Sequence, residues 1–234
     1  MKFRLPRQEI NEKLTALGYK KLKQQKIKVP RAPIKTLKEI HAISDEIQKN
    51  GLPKYLVRKK LKKDLGYGIF LHPGAKPILK GESIAPYSGK VFLFAQNQED
   101  TTDYAFALIS DLLLTRKEQL LWDPTRRFHP RRLYSIDLDA EKMGNFTRFI
   151  NHSDKPNIEA KFLRIPPNSL GLTPSPFELI YVARKTIRPG EQLLVSYEPE
   201  GRNYWGVLNI KPFPMRPNTF KLNSSCELTS EQPK

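Results

Sequence analysis

The sequence contains a single cysteine, Cys226, which lies near its polar C-terminal end. One thiol cannot build an intrachain disulfide framework or a cysteine-rich structural zinc site. Long apolar runs are also missing, because the best candidate, residues 104–114, is interrupted by Asp111 and falls short of the roughly 18 residues that a spanning helix needs. The basic N-terminal end lacks the apolar core of a secretory signal. These absences predict a soluble protein without disulfides, bound metal or a membrane partner.

Positive charge is concentrated at the N-terminal end of the chain. Residues 1–65 contain 19 Lys and Arg against 6 Asp and Glu, a net charge of +13 within the total of +17. Two runs in this region, residues 20–28 and 58–63, are rich in lysine, and clustered cations gain affinity for phosphate backbones by releasing counterions. They are candidate polyanion-binding faces. The alternative is a solvated surface that only aids solubility.

Apolar residues in the same region recur at helical spacing in two stripes. The first stripe ends before Gly18, and the second ends at Asn50-Gly51, where a glycine favours a helix C-terminus. We therefore expect residues 1–65 to form a basic, mainly helical N-terminal region, and self-association through the stripes would make the protein a homo-oligomer. The apolar positions are Ile10, Leu14 and Leu17 in the first stripe and Ile34, Leu37, Ile40, Ile43 and Ile47 in the second.

From residue 66 onward, short β-branched and aromatic runs are separated by Gly and Pro. This spacing is typical of many short strands in small sheets, without a βαβ alternation. Residues 98–130 do not fit the pattern and are interpreted as an inserted, partly helical segment, and residues 206–234 form a tail rich in Pro, Asn and Ser. The sequence thus predicts a mainly β fold with some α. The predicted strands cover residues 68–71, 83–87, 91–94, 133–137, 178–183 and 192–197.

Five segments in this part of the chain resemble, in order, the motifs of SET-domain protein lysine methyltransferases. The resemblance covers about residues 66–205. It implies a SET-domain β-clip of several small sheets with a knot-like crossing, and S-adenosylmethionine as cofactor. The matching segments are GYGIF at residues 66–70, KGESIAPYSGK at 80–90, YSIDLD at 134–139, RFINHSDKPN at 148–157 and IRPGEQLLVSY at 187–197.

The resemblance assigns cofactor contacts to seven residues. Gly66, Tyr67 and Gly68 would line the methionine end of the cofactor, since glycines allow a backbone to approach a bulky ligand closely. Arg148 and Asn151 would make polar contacts, the backbone of His152 would bind the adenine, and Trp205 would cover an adenine face. Taken without the family, His152 is more often a hydrogen-bonded structural residue than a catalyst, and we keep that interpretation of its side chain.

Tyr197 is the residue that we expect to carry the chemistry. Methyl transfer to a lysine needs a neutral amine, whose reference pKa of about 10.4 leaves fewer than ~1 in 1,000 side chains neutral at pH 7. A hydroxyl such as that of Tyr197 would orient the amine beside the polarised methyl group, and Tyr197 would also contact the cofactor. Tyr87, in the second motif, is a further candidate for the wall of the lysine channel, with packing in the core as its alternative.

Two positions depart from the family pattern. Asp154 stands where many members have the cysteine of a C-terminal zinc site, which agrees with the expectation that this chain binds no metal. Ser196 stands where many members have aspartate. The small size and the lack of zinc-binding flanks most resemble stand-alone SET proteins of chlamydia-like bacteria, which implies the bacterial cytoplasm, or delivery into a host cell and its nucleus as a bacterial effector.

The resemblance implies a basic protein substrate with a lysine acceptor, a histone or histone-like protein. A net charge of +13 would repel such a substrate unless nucleic acid lies between them, or unless acidic residues such as Glu198 and Glu200 locally reverse the field. We therefore expect residues 1–65 to contact nucleic acid and so bring the SET-like region to a DNA-bound protein. The rival function is a catalytically silent SET-like module that binds chromatin or another partner.

Overall fold

Short strands in four small sheets dominate the computed structural model, which describes residues 17–18, 20–24, 26, 28–62, 65–95, 104–122, 127, 129–164, 178–197 and 211–222. The described residues fall into two compact units. The first unit is drawn from residues 1–51, 85–148 and 161–180, and the second from residues 52–84, 149–160 and 181–234. The prediction of a mainly β protein with some α, arranged in several small sheets, is confirmed.

The described helices and strands have the following bounds. The helices are α1 at Ile34–Asn50, α2 at Arg116–Trp122 and a 3₁₀ helix at Phe146–Phe149. The strands are β1 at Leu56–Lys60, β2 at Tyr67–Leu71, β3 at Ser83–Pro86, β4 at Lys90–Ala95, β5 at Ala105–Leu113, β6 at Leu133–Asp139, β7 at Asn151–His152, β8 at Ile158–Leu163, β9 at Glu178–Ala183 and β10 at Leu194–Val195.

Helix α1 confirms the second apolar stripe. Four of the five predicted positions, from Leu37 to Ile47, are buried, whereas Ile34 in the first turn is exposed. The helix ends where the sequence predicts, because Gly51 adopts a left-handed φ of 73° and its N–H donates to the carbonyl of Ile47. The left-handed conformation would be strained for a residue with a Cβ.

Part of the first predicted helical stretch is described. Residues 17–18 and 20–24 are helical, and Gly18 is buried. Ile10 and Leu14 lie outside the described residues. Lys21 and Leu22 are also buried, so part of the first lysine-rich run is interior rather than a free basic surface.

The first unit contains a three-stranded antiparallel sheet in the order β4-β6-β5. Strand β6 lies at its centre and is buried along most of its length, as expected for a strand with a neighbour on both edges. Strand β5 was not predicted, because residues 104–114 form a nearly continuous apolar run that shows no strand alternation. Its register shifts before Leu112, and Asp111 has a φ of 58° at this irregularity.

The second unit contains a hairpin of β1 and β2, whose antiparallel register pairs Leu56 with Leu71 and Lys60 with Tyr67. Strand β1 was not predicted, because its basic residues lie in the region for which the sequence predicts helix. Pairing with β2 explains the difference, since a long-range partner overrides weak local preference.

The remaining sheets are β3-β9-β8 and the parallel pair β10-β7. No described helix is long and apolar enough to cross a membrane.

A buried ion pair joins the helical residues 20–24 to α2 within the first unit. The Nζ of Lys21 lies 2.8 Å from the Oε2 of Glu118 and 3.0 Å from the carbonyl of Leu113, and both charged side chains are nearly buried. Glu118 also closes the N-terminal turn of α2 with Thr115, since each backbone N–H donates to the other residue's side chain. Burial would raise the pKa of Glu118, but the hydrogen bonds from Lys21, Thr115 and Lys20 lower it from 4.5 to about 2.

We predict that Glu118→Gln makes the protein less stable and less sensitive to acid. Because the folded-state pKa is depressed, the carboxylate's contribution is complete above the unfolded value near 4.5 and is lost as the pH falls through about 2. The shift corresponds to about 3 kcal/mol of pH-dependent folding free energy at pH 7. Urea unfolding of both proteins between pH 7 and pH 2 measures it.

Glu39→Gln is the matched control, because Glu39 pairs with the exposed Lys35 at 3.6 Å on the surface of α1. Surface pairs of this kind contribute about 0–1 kcal/mol. A difference between wild type and Glu118→Gln that stays constant from pH 7 to pH 2, or that the Glu39 variant reproduces, would contradict this account.

Candidate functional site

The Asn-His-Ser segment of the sequence forms a parallel strand pair with a distant part of the chain. Asn151 pairs with Leu194 and His152 with Val195, and the N–H of Ser153 donates to the carbonyl of Val195 over 2.9 Å. Two residues per strand give little intrinsic stability, so this crossing needs additional bonds to hold it in place.

Asn157 supplies those bonds. Its Nδ2 donates to the carbonyl of Gln192 over 2.8 Å, its Oδ1 accepts the N–H of Leu194 over 2.8 Å, and its own N–H donates to the carbonyl of Leu194 over 3.1 Å. The side chain is fully buried. Asn157 therefore fixes the register at which the two segments meet. The sequence placed it in a motif but assigned it no role, since an asparagine near Pro156 is equally typical of a turn.

A hydrogen bond joins Tyr197 to His152 at the crossing. The backbone N–H of Tyr197 donates to the Nδ1 of His152 over 3.0 Å, and the two rings lie 5.4 Å apart between centroids. Because Nδ1 is the acceptor, the neutral imidazole carries its proton on Nε2. These contacts agree with the structural interpretation of the histidine side chain.

The hydroxyl of Tyr197 has a fixed orientation. It donates its proton to the carbonyl of Ile150 over 2.8 Å, and a carbonyl oxygen can only accept. A phenolic oxygen that donates its proton in this way still has the chemical capacity to accept a hydrogen bond. Tyr197 is half-buried, which leaves part of the side chain open to a ligand.

The Gly-x-Gly turn leads into β2 in the same unit. Gly66 is exposed with a left-handed φ of 61°, and Asn151 donates through Nδ2 to the carbonyl of Tyr67 over 2.8 Å. A Cβ on Gly68 would lie 2.5 Å from the Nε2 of Gln192, so no larger residue fits unless Gln192 moves. Glycine is thus required at 68 by close packing and favoured at 66 by its backbone angle.

Gln192 belongs to the site although no sequence pattern singled it out. Its side chain is fully buried beside Gly68, and neither amide atom has a hydrogen-bond partner among the described residues. A buried amide without partners is costly and rare, so Gln192 is a candidate for a role in the site.

The structure brings six of the predicted site residues into the second unit, namely Gly66, Tyr67, Gly68, Asn151, His152 and Tyr197. Tyr87 and Arg148 belong to the first unit. Tyr87 is buried against Phe106, and its hydroxyl donates to the carbonyl of Tyr104 over 2.7 Å. These contacts favour packing in the core, the alternative to a role in the wall of the lysine channel. Trp205 lies outside the described residues, so its role stays a prediction.

Arg148 has local partners in the first unit. Its guanidinium donates to the carbonyls of Ala140 and Glu141, over 3.2 Å and 2.6 Å. These bonds hold the turn after β6 to the 3₁₀ helix. A contact between Arg148 and a cofactor stays a prediction.

The described part of the C-terminal tail, residues 211–222, packs within the second unit. Met215 and Pro217 are buried, and the hydroxyl of Ser153 donates to the carbonyl of Met215. Pro217 also accepts a hydrogen bond from the N–H of Gln192 over 3.3 Å. The tail thus braces the segment beside the crossing. Among the described residues, no group of three or more His, Cys, Asp or Glu side chains could hold a metal ion.

Comparison with known proteins identifies the family. The model of the SET domain matches residues 66–198, more than half of the chain. The chain belongs to the SET domain family. Its small sheets, its parallel crossing at the Asn-His-Ser segment and the Gly-x-Gly turn of the second unit are therefore parts of a SET domain.

Two curated relatives share parts of this sequence. SET domain-containing protein 4 of Saccharomyces cerevisiae is 28% identical over 154 residues, which is 64% of this chain and 24% of the relative. Histone-lysine N-methyltransferase set-2 of Caenorhabditis elegans is 39% identical over 70 residues, 28% of this chain and 4% of the relative. The chain therefore spans a quarter or less of the curated relatives it matches. These relatives do not confirm the resemblance to bacterial SET proteins, and the predicted localisation stays a prediction.

A similar solved structure is that of ATXR5 in complex with mono-methylated histone H3.1, with 19% sequence identity and a TM-score of 0.50. The likeness covers 75% of this chain and 71% of that chain. At this identity it shows the fold alone, and it confirms the SET-domain architecture that the sequence motifs implied.

Proposed function

We propose that this SET domain is an S-adenosylmethionine-dependent protein-lysine N-methyltransferase that acts on histone or histone-like basic proteins. The observation that carries the proposal is the geometry of Tyr197. Its hydroxyl proton is committed to the carbonyl of Ile150, and its oxygen can therefore accept a hydrogen bond from a substrate amine. Membership of the SET family and the histone-lysine N-methyltransferase among the relatives support the same activity.

The chain offers features that fit the cofactor. A Cβ at Gly66 would meet no atom within 4 Å, Tyr67 is exposed, and the buried Gln192 amide beside Gly68 has unused hydrogen-bonding capacity among the described residues. Gly66, Tyr67 and Gly68 would hold the methionine end, with Asn151 fixing the turn through the Tyr67 carbonyl. When bound, S-adenosylmethionine supplies an electrophilic methyl group on a positively charged sulfur.

The substrate lysine must lose a proton before it reacts. Lowering its pKa by about 3 units corresponds to roughly 4 kcal/mol, which burial and repulsion from a nearby positive charge can supply. The proton leaves to solvent. The neutral nitrogen would then be the nucleophile toward the methyl group that the cofactor supplies, with Tyr197 holding the nitrogen and Gly66, Tyr67 and Gly68 holding the methionine end of the cofactor.

Tyr197 would align the nitrogen for this attack. A hydrogen bond from the amine to the tyrosine oxygen directs the nitrogen lone pair, and correct alignment can supply several kcal/mol of the barrier. The backbone bond from Tyr197 to His152 and the hydroxyl bond to Ile150 fix both ends of the tyrosine. The residue would thus be a preorganised acceptor and not a general base.

We predict that Tyr197→Phe lowers kcat for methyl transfer by at least about 10-fold, because it removes the acceptor that aligns the amine. The measurement is transfer of a labelled methyl group from S-adenosylmethionine to purified histones and to histone-like nucleoid proteins. Calorimetric binding of S-adenosylhomocysteine to the same variant serves as the control, and we expect the variant to bind it.

Full activity of Tyr197→Phe would remove the proposed role of the hydroxyl. Wild-type protein that binds the cofactor but methylates neither substrate class would favour the silent module, which would use the SET surface only to hold a partner. Loss of cofactor binding in Tyr197→Phe would mean that the tyrosine is needed for assembly of the site.

We also propose that exposed lysines near the N-terminal end contact nucleic acid. Within residues 20–28, Lys20 and Lys21 are bonded to Glu118, whereas Lys23, Lys26 and Lys28 are exposed. Bound nucleic acid would offset the repulsion between these cations and a basic substrate. The contact would thereby bring the SET domain to a DNA-bound protein.

We predict that replacing Lys23, Lys26 and Lys28 together by glutamine weakens binding to duplex DNA and flattens its salt dependence. Each lost phosphate contact reduces the slope of log affinity against log salt by about 0.9, so three contacts give about 2.7. Fluorescence anisotropy between 50 and 300 mM salt measures the slope, and the same change at Lys35, Lys38 and Lys49 of α1 is the charge-matched control. Equal slopes in the two triple variants, or no DNA binding by wild type, would refute the contact.

A further inference from the structure

The guanidinium of Arg58 in β1 lies over two aromatic rings beside the Gly-x-Gly turn. Its guanidinium carbon lies 4.8 Å from the ring centroid of Tyr67 and 5.1 Å from that of Phe149. The two rings meet edge to face, with centroids 5.8 Å apart. Both distances from the cation lie within the roughly 6 Å at which a guanidinium is attracted to the face of a ring.

The hairpin register explains why Arg58 reaches Tyr67. Lys60 pairs directly with Tyr67 and Arg58 with Ile69, so the side chains of Arg58, Lys60 and Tyr67 lie on one face of the hairpin. Arg58 is the diagonal neighbour of Tyr67, at a separation that a long side chain can bridge. The sequence alone placed Arg58 in a basic run without aromatic partners.

Two sets of contacts connect Tyr67 to Phe149. On the backbone side, Asn151 donates from Nδ2 to the carbonyl of Tyr67 over 2.8 Å and to that of Phe149 over 3.5 Å. On the side-chain side, the guanidinium of Arg58 contacts both rings. The hydrogen bond from the N–H of Leu61 to the carbonyl of Gly66 closes the loop before Tyr67, so the turn has a fixed base as well.

We propose that Arg58 is a positioning residue for the cofactor, which acts through Tyr67 to hold the Gly66–Gly68 turn in the shape that receives the methionine end. The inference rests on the proposed function, because the ligand is the cofactor of that same site. Arg58 belongs to none of the motifs that define the family resemblance. A guanidinium that lies over two rings at once makes contacts that the compact ammonium of lysine reproduces poorly.

The test compares two ligands that differ only at the end in question. S-adenosylhomocysteine carries the amino-acid portion, and 5′-methylthioadenosine lacks it. We expect Arg58→Met to weaken S-adenosylhomocysteine about 5- to 30-fold in calorimetric titrations while its affinity for 5′-methylthioadenosine changes less than about twofold. Arg58→Lys keeps the positive charge but lacks the planar guanidinium, so we expect it to recover part of the lost affinity for S-adenosylhomocysteine.

Lys62→Met is the matched control, because it removes one positive charge from an exposed position in the loop of the same hairpin. It should bind both ligands as wild type does. Equal weakening of both ligands by Arg58→Met would indicate a general structural role and overturn the inference, as would unchanged affinity for S-adenosylhomocysteine. If Arg58→Met unfolds, the same comparison is made with Arg58→Lys.

Failure of the proposed function gives a different result. Wild-type protein that binds neither ligand would refute cofactor binding itself, and the role of Arg58 would fall with it. Wild-type binding of S-adenosylhomocysteine together with an unaffected Arg58→Met variant would refute the role of Arg58 alone.

Discussion

The side chain of Asn157 is the interaction on which the second unit depends. It satisfies one backbone donor and one backbone acceptor of the segment at residues 192–194, which leads into β10, with a single buried amide. Two-residue strands cannot set their own register, and slipping by one residue would reverse which side chains face the site. The amide defines the register, and the parallel pairing of Asn151 and His152 with β10 follows from it.

Site geometry follows from that register. With β10 fixed, the backbone of Tyr197 reaches His152 and its hydroxyl reaches Ile150, so the proposed amine acceptor is oriented by two residues of the crossing segment. The same segment holds the Gly-x-Gly turn through Asn151, and Gln192, whose carbonyl Asn157 binds, packs against Gly68. The Asn-His-Ser segment thus contacts both Tyr197, the proposed amine acceptor, and the Gly-x-Gly turn, the proposed cofactor site. A hydrogen bond from Ser153 to Met215 attaches the C-terminal tail to the same segment.

The sequence predicted the features that depend on local chemistry. The end of α1 at Gly51, strand β9 and the mainly β class all follow from patterns of neighbouring residues. Strands β1 and β5 were missed because partners distant in the sequence stabilise them. Three further contacts could not be predicted from the sequence, because each joins residues that only the fold brings together. They are the hydrogen bonds of Asn157, the contacts of Arg58 with two rings and the hydroxyl hydrogen bond of Tyr87.

The most direct test is the affinity of S-adenosylhomocysteine for Asn157→Ala compared with Asn145→Ala. Asn145 is a buried asparagine of the first unit that donates hydrogen bonds to Pro86 and Ser88, so its replacement is a comparable defect in the other unit. At a temperature where circular dichroism shows both variants folded, we expect Asn157→Ala to lose at least about 10-fold in affinity and Asn145→Ala to keep wild-type affinity, because only the first loosens the register. Wild-type affinity in Asn157→Ala, or the same loss in both variants, would contradict the account.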